Sequence, residues 1–70
     1  MNQLSQRIKE LRQQKNITQK QLSEVLAVTP LTIQRYECGS RCPDIDTVIE
    51  LCKYFKVSSD YLIGLSDKQQ

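Results

Sequence analysis

The chain has 70 residues, 39% of them hydrophobic and 26% charged, with a formal net charge of +2. Those figures allow one folded domain and exclude a second core or a deep catalytic cleft, because a chain this short buries only about 60% of the surface it exposes when unfolded. No apolar run approaches the roughly 18 residues that span a bilayer, and Met1 to Glu10 lacks the apolar segment of a signal peptide.

The expectation is a single domain over residues 1–70, ordered from about residue 3 to residue 65, in a cytoplasmic protein. The apolar spacing is helical throughout. The first helix is predicted from about Gln3 to Gln14, with Leu4, Ile8 and Leu11 as an inward stripe. Lys15 suits the negative end of its dipole, and Asn16 can take the left-handed conformation that stops it. Thr18 and Gln21 form a capping box for a second helix, with Ile17 placed to staple onto Leu22. That helix ends near Leu26, and Ala27–Val28 is a very short connection. Thr29 caps a third helix and Pro30 fits its first position, where the missing N–H has no partner to lose. Gly39 ends it after about Cys38.

Arg41-Cys42-Pro43 reads as a loop. A fourth helix follows, capped by Asp44 or Asp46, with Ile45, Val48, Ile49, Cys52 and Phe55 as its expected stripe. A short fifth helix starts after Val57-Ser58-Ser59-Asp60, carries Tyr61, Leu62 and Ile63, and stops at Gly64. Ser66 to Gln70 are polar and expected to fray. The result is an all-α, five-helix domain. Two helices joined by a turn as short as Ala27–Val28 must cross steeply, which is the helix-turn-helix arrangement.

The chemistry is sparse. Histidine is absent, and the three cysteines, Cys38, Cys42 and Cys52, are an odd number. This argues against a disulfide framework and leaves only thiols and carboxylates for a tetrahedral zinc site. Cys52 is expected in the core. No phosphate-cradling loop or nucleophile elbow is present, and acid–base work without histidine needs a buried group of shifted pKa. No cofactor, metal site or enzymatic activity is expected. Charge is unevenly spread: residues 1–42 hold seven Lys/Arg against three Glu, whereas residues 43–70 hold three Lys against five Asp/Glu. The N-terminal part suits a polyanion; the C-terminal part does not.

On the third helix, at about 100° per residue, Leu31, Gln34, Arg35 and Cys38 share one face. Ile33 and Tyr36 are the core contacts on the other side. A Gln beside an Arg, projecting near a helix start, can bond adenine and guanine edges in the major groove, and Leu31 can meet a thymine methyl.

Arg7-Ile8-Lys9-Glu10-Leu11-Arg12, Ile17-Thr18-Gln19-Lys20-Gln21-Leu22 and Leu26-Ala27-Val28-Thr29 together resemble the phage repressor/Cro-like (XRE) helix-turn-helix family. So do Thr32-Ile33-Gln34-Arg35-Tyr36-Glu37-Cys38-Gly39, Arg41-Cys42-Pro43 and Phe55-Lys56-Val57-Ser58-Ser59-Asp60-Tyr61-Leu62-Ile63-Gly64. The matches are ordered and span residues 5–65. The resemblance implies a lambda-repressor-like domain that binds operator DNA, usually as a symmetric dimer. It implies a phosphate contact at Gln19, reading positions at Thr29, Pro30, Leu31, Gln34 and Arg35, and a near-backbone position at Thr32. Ser40 and Arg41 match a phosphate-contacting loop, and Arg12 and Glu37 match an internal salt bridge. This chain departs from the family where Ala27 replaces a common turn glycine, at about 1 kcal/mol if φ is positive there. Pro30 replaces a usually polar reader, Asn16 a frequent glycine and Ser23 a usual alanine. Cys38 and Cys42 replace polar or basic residues.

The function so implied is a sequence-specific DNA-binding transcriptional regulator, most simply a repressor that occupies a palindromic double-stranded operator as a homodimer. Leu62, Ile63 and Leu65 are candidates for the dimer contact or for closing the core. The alternative is a protein-interaction module of the same fold: an antirepressor, antitoxin or adaptor. No effector site is legible.

Overall fold

The computed structural model describes residues 3–65, which fold into five α-helices: α1 (Gln3–Gln14), α2 (Gln19–Leu26), α3 (Pro30–Cys38), α4 (Ile45–Phe55) and α5 (Ser59–Ile63). No strand occurs among the described residues. None of these helices is long and apolar enough to cross a membrane. Residues 66–70, expected to fray, lie outside the described residues.

The boundaries follow from local chemistry. Thr18 Oγ1 accepts from the Gln21 N–H at 3.0 Å, and Gln21 Oε1 accepts from the Thr18 N–H at 2.7 Å, so both halves of the capping box form. Thr29 Oγ1 accepts from the Thr32 N–H at the start of α3, and Ser58 from the Tyr61 N–H at the start of α5. Asp44, rather than Asp46, caps α4, taking the Thr47 N–H at 2.8 Å. That hydrogen bond holds the Asp44 carboxyl below its ordinary pKa. Asn16 closes α1 with φ 57°, Ala27 closes α2 with φ 56°, and Gly39 closes α3 with φ 84°.

Ala27 carries a real cost. An L-residue with a side chain in the left-handed region loses on the order of 1 kcal/mol relative to glycine there. Ala27→Gly is therefore expected to stabilise the fold by about 0.5–1 kcal/mol, seen as a higher urea midpoint at unchanged slope. A lower midpoint would show that the turn prefers the methyl group.

The core is formed by Ile8 and Leu11 of α1, Leu22 of α2, Ile33 and Tyr36 of α3, and Val48, Leu51 and Phe55 of α4. Val57 and α5's Tyr61 and Leu62 complete it. Leu4, Ile17 and Cys52 pack partly buried against it, and burial raises the Cys52 thiol above its ordinary pKa. The expected stripe of α4 needs correction. Ile45 is 70% and Ile49 44% exposed, whereas Leu51 is fully buried. The stripe that packs is Val48, Leu51, Cys52 and Phe55, at i, i+3, i+4 and i+7, which turns Ile49 about 100° away from Val48.

Helix α1 packs on α3 and α5, α2 on α3 and α4, and α4 on α5. Arg7 locks the first of these arrangements. Its guanidinium is buried, donates from Nη1 to the Tyr61 carbonyl at 2.7 Å, and lies 4.1 Å from the Tyr61 ring centroid. With α1 and α2 packed on its inner side, α3 keeps its other side open.

Candidate nucleic-acid interface

Helix α3 supplies the exposed face. Ile33, Tyr36 and Glu37 are buried, while Pro30, Leu31, Gln34, Arg35 and Cys38 are exposed, Leu31 by 52%. The residues that form the open face are those that the 100° periodicity places together. The start of α3 is held rigidly. The Thr29 and Thr32 hydroxyls lie 2.9 Å apart and hydrogen-bond to each other, and Pro30 fixes φ at the first helical position.

The end of α3 is equally fixed. The Arg35 carbonyl accepts from the N–H groups of Gly39, Ser40 and Arg41 at 3.1, 3.1 and 3.3 Å. The Ser40 hydroxyl donates to the same oxygen at 3.5 Å. Ser40 and Arg41 are thereby curled over the helix C-terminus, both exposed. Cys38 joins this group, with Sγ 3.3 Å from Ser40 Oγ and 3.6 Å from the Arg35 carbonyl. The Ser40 contacts, with a smaller contribution from the Arg35 charge, hold the Cys38 thiol below its ordinary pKa.

Gln19 is the first residue of α2 and is half-buried beside α3. Its Nε2 donates to Glu37 Oε1 at 3.1 Å. Glu37 also binds Arg12 in a two-point ion pair: Arg12 Nε to Oε2 at 2.6 Å and Nη2 to Oε1 at 3.2 Å. The two side chains are 14% and 4% exposed, so the pair is internal. Arg12 Nη1 reaches on to the Ile17 carbonyl at 2.9 Å.

A cleft of about 400 Å³ opens over this network, lined by Lys9, Arg12, Gln19, Gln34, Glu37 and Cys38. The structure thus brings Gln19, Gln34, Arg12 and Glu37 together. Thr29, Pro30, Leu31 and Thr32 lie at the start of α3, and Ser40 and Arg41 beyond its end. Lys9 was not among the residues expected at the site, although it lies one turn before Arg12 and so on the same side of α1. Among the described residues, no three His, Cys, Asp or Glu side chains are grouped to hold a metal ion.

The sequence profile of the helix-turn-helix family matches residues 8–62. The chain belongs to the helix-turn-helix family. The transcriptional regulator ImmR of Bacillus subtilis is 41% identical over 61 residues, covering 87% of this chain and 48% of ImmR. The transcriptional activator BcrR of Enterococcus faecalis is 33% identical over 60 residues, covering 86% of this chain and 29% of BcrR. The chain spans about half the length of ImmR and of two further B. subtilis regulators of the family, YobD and YqaE.

Solved members of the helix-turn-helix family share the architecture. The P22 c2 repressor in complex with a synthetic operator superposes with a TM-score of 0.82 at 25% identity, covering 90% of this chain and 96% of that one. A transcriptional regulator from Listeria innocua superposes with a TM-score of 0.88 at 29% identity, covering 97% of this chain and 64% of that one. The five-helix arrangement is that of the phage repressor domains.

Proposed function

We propose that this domain is the DNA-binding part of a transcriptional regulator that acts by occupying an operator. The observation that carries the reading is the exposed face of α3, where Leu31, Gln34 and Arg35 project from a helix fixed at both ends. The similarity to the P22 c2 repressor, solved on its operator, supports placing that face in the major groove. Gln34 and Arg35 supply base discrimination, and Leu31 supplies apolar contact. Gln19, Thr29, Thr32, Ser40 and Arg41 hold the register on phosphates, while Pro30 provides a rigid start and no polar contact. The role is one of binding, and repression follows where the occupied site overlaps that of the transcription machinery.

The domain measures 28 Å along its longest axis. One copy is too short to present two reading helices about 34 Å apart on successive major grooves. A homodimer on a palindrome meets that spacing. Of the three residues expected at that contact, Ile63 and Leu65 are exposed, Leu65 by 75%, whereas Leu62 is fully buried and belongs to the core.

Arg35→Ala is expected to cost about 1–3 kcal/mol on the specific site and to relax preference at one base pair. Gln19→Ala is expected to weaken all duplexes about equally. Binding assays on single-base operator variants separate the two. An unchanged preference in Arg35→Ala, or loss confined to one base pair in Gln19→Ala, would reassign these residues.

A further inference from the structure

Three helices meet at one carboxylate. Glu37, on the inner edge of α3, accepts from Arg12 of α1 through both oxygens and from Gln19 of α2 through Oε1. A carboxylate only accepts, so its contact with Gln19 must be made by the amide nitrogen, which fixes which way the amide faces. That nitrogen carries two hydrogens. Glu37 takes one, and the second remains for an outside acceptor. Arg12 adds a further tie by donating to the Ile17 carbonyl just before α2. The first turn of α2 is therefore bound to α3 through partly buried polar groups as well as through apolar contact.

We propose that Glu37 is a positioning residue for DNA binding. Clamped by Arg12, it holds Gln19 so that the free amide hydrogen meets a backbone phosphate at a fixed distance from the bases read by Gln34 and Arg35. The inference rests on the DNA-binding reading above. It accounts for a buried acid beneath a surface meant for a polyanion: the charge is neutralised by Arg12 and is spent on orienting a donor. Because the Arg12–Glu37 pair is neutral as a unit, its loss changes how well Gln19 is placed without changing the number of cations that face DNA in excess.

The test is a binding cycle that crosses the paired replacement Arg12→Met with Glu37→Met against Gln19→Ala. Replacing both members of the pair by apolar side chains of similar length avoids leaving one buried charge alone. Binding is measured on a duplex recovered by selection and on a scrambled duplex of equal length. Losing the orientation of one charge-assisted hydrogen bond is expected to weaken binding about fivefold on both duplexes. In the Gln19→Ala background the same paired replacement is expected to change binding by less than about twofold, since the group it positions is gone. Equal losses in both backgrounds would overturn the positioning role. Absence of binding to either duplex by the unaltered protein at low salt would overturn the DNA-binding reading and this proposal with it.

A second measurement holds if the paired variant does not fold. In the unaltered protein, nuclear magnetic resonance of the Gln19 side-chain amide on adding the selected duplex is expected to shift one amide hydrogen strongly and the other little. Shifts of equal size in both would show that Gln19 leaves Glu37 on binding.

Discussion

Leu51→Ala is expected to destabilise the domain by about 3 kcal/mol, whereas Ile49→Ala, two residues away, is expected to cost about 1 kcal/mol or less. Leu51 is fully buried among the core residues, so its truncation removes apolar contact and leaves a cavity. Ile49 is 44% exposed on α4, so its truncation loses only part of the apolar contact that Leu51 loses and leaves no enclosed cavity. At roughly 0.05–0.15 kcal/mol per residue, a domain of this size is stable by only several kcal/mol. Leu51→Ala therefore uses up much of that margin, and urea unfolding followed by circular dichroism measures both variants. Similar midpoints for the two would contradict the register of α4.

Arg12→Ala has an effect of comparable size by a different route. It strips Glu37, whose side chain is 4% exposed, of its cation while leaving the carboxylate inside the protein. It also removes the donor to the Ile17 carbonyl. Breaking one side of a buried pair costs about 3 kcal/mol, because water entering from the cleft replaces the lost partner only in part. Gln19 stays as a neutral donor and offsets part of the loss. The paired replacement of Arg12 and Glu37 by methionine is expected to recover most of the stability. Equal destabilisation in the single and paired variants, read from urea midpoints, would place the energy in packing of the Arg12 stem rather than in its charge.

These two predictions mark the boundary of what the amino-acid sequence makes legible. Caps and stops are short-range chemistry, so Thr18 with Gln21, Thr29 with Pro30, and Gly39 locate α2 and α3 without tertiary information. The open face of α3 follows in the same way, since a nine-residue helix with Ile33 and Tyr36 inward has only one other side. The register of α4 was less legible because its apolar residues fit more than one stripe. Ile45, Val48, Ile49 and Cys52 satisfy helical spacing as well as Val48, Leu51, Cys52 and Phe55 do. Packing against α5 and α2 decides between them.

Polar contacts between distant residues were the hardest to read. Arg12 and Glu37 are 25 residues apart, and their pairing was expected only through resemblance to the family. The Gln19 contact with Glu37 had no sequence signal, because a glutamine at a helix start fits a solvent-facing or phosphate-facing role equally well. Arg7 did carry a signal: it lies one turn after Leu4 and one turn before Leu11, on the edge of the inward stripe. An arginine there needs an internal acceptor, and the Tyr61 carbonyl provides one.

Operator binding by the α3 face is tested most directly by selecting bound sequences from randomised duplex DNA and titrating the enriched pool at two salt concentrations. A dimeric operator binder is expected to enrich a two-fold palindrome, with an affinity that falls steeply with salt, since each neutralised phosphate releases counterions. No enriched sequence at low salt would contradict operator binding and would turn the exposed face of α3 toward a protein partner.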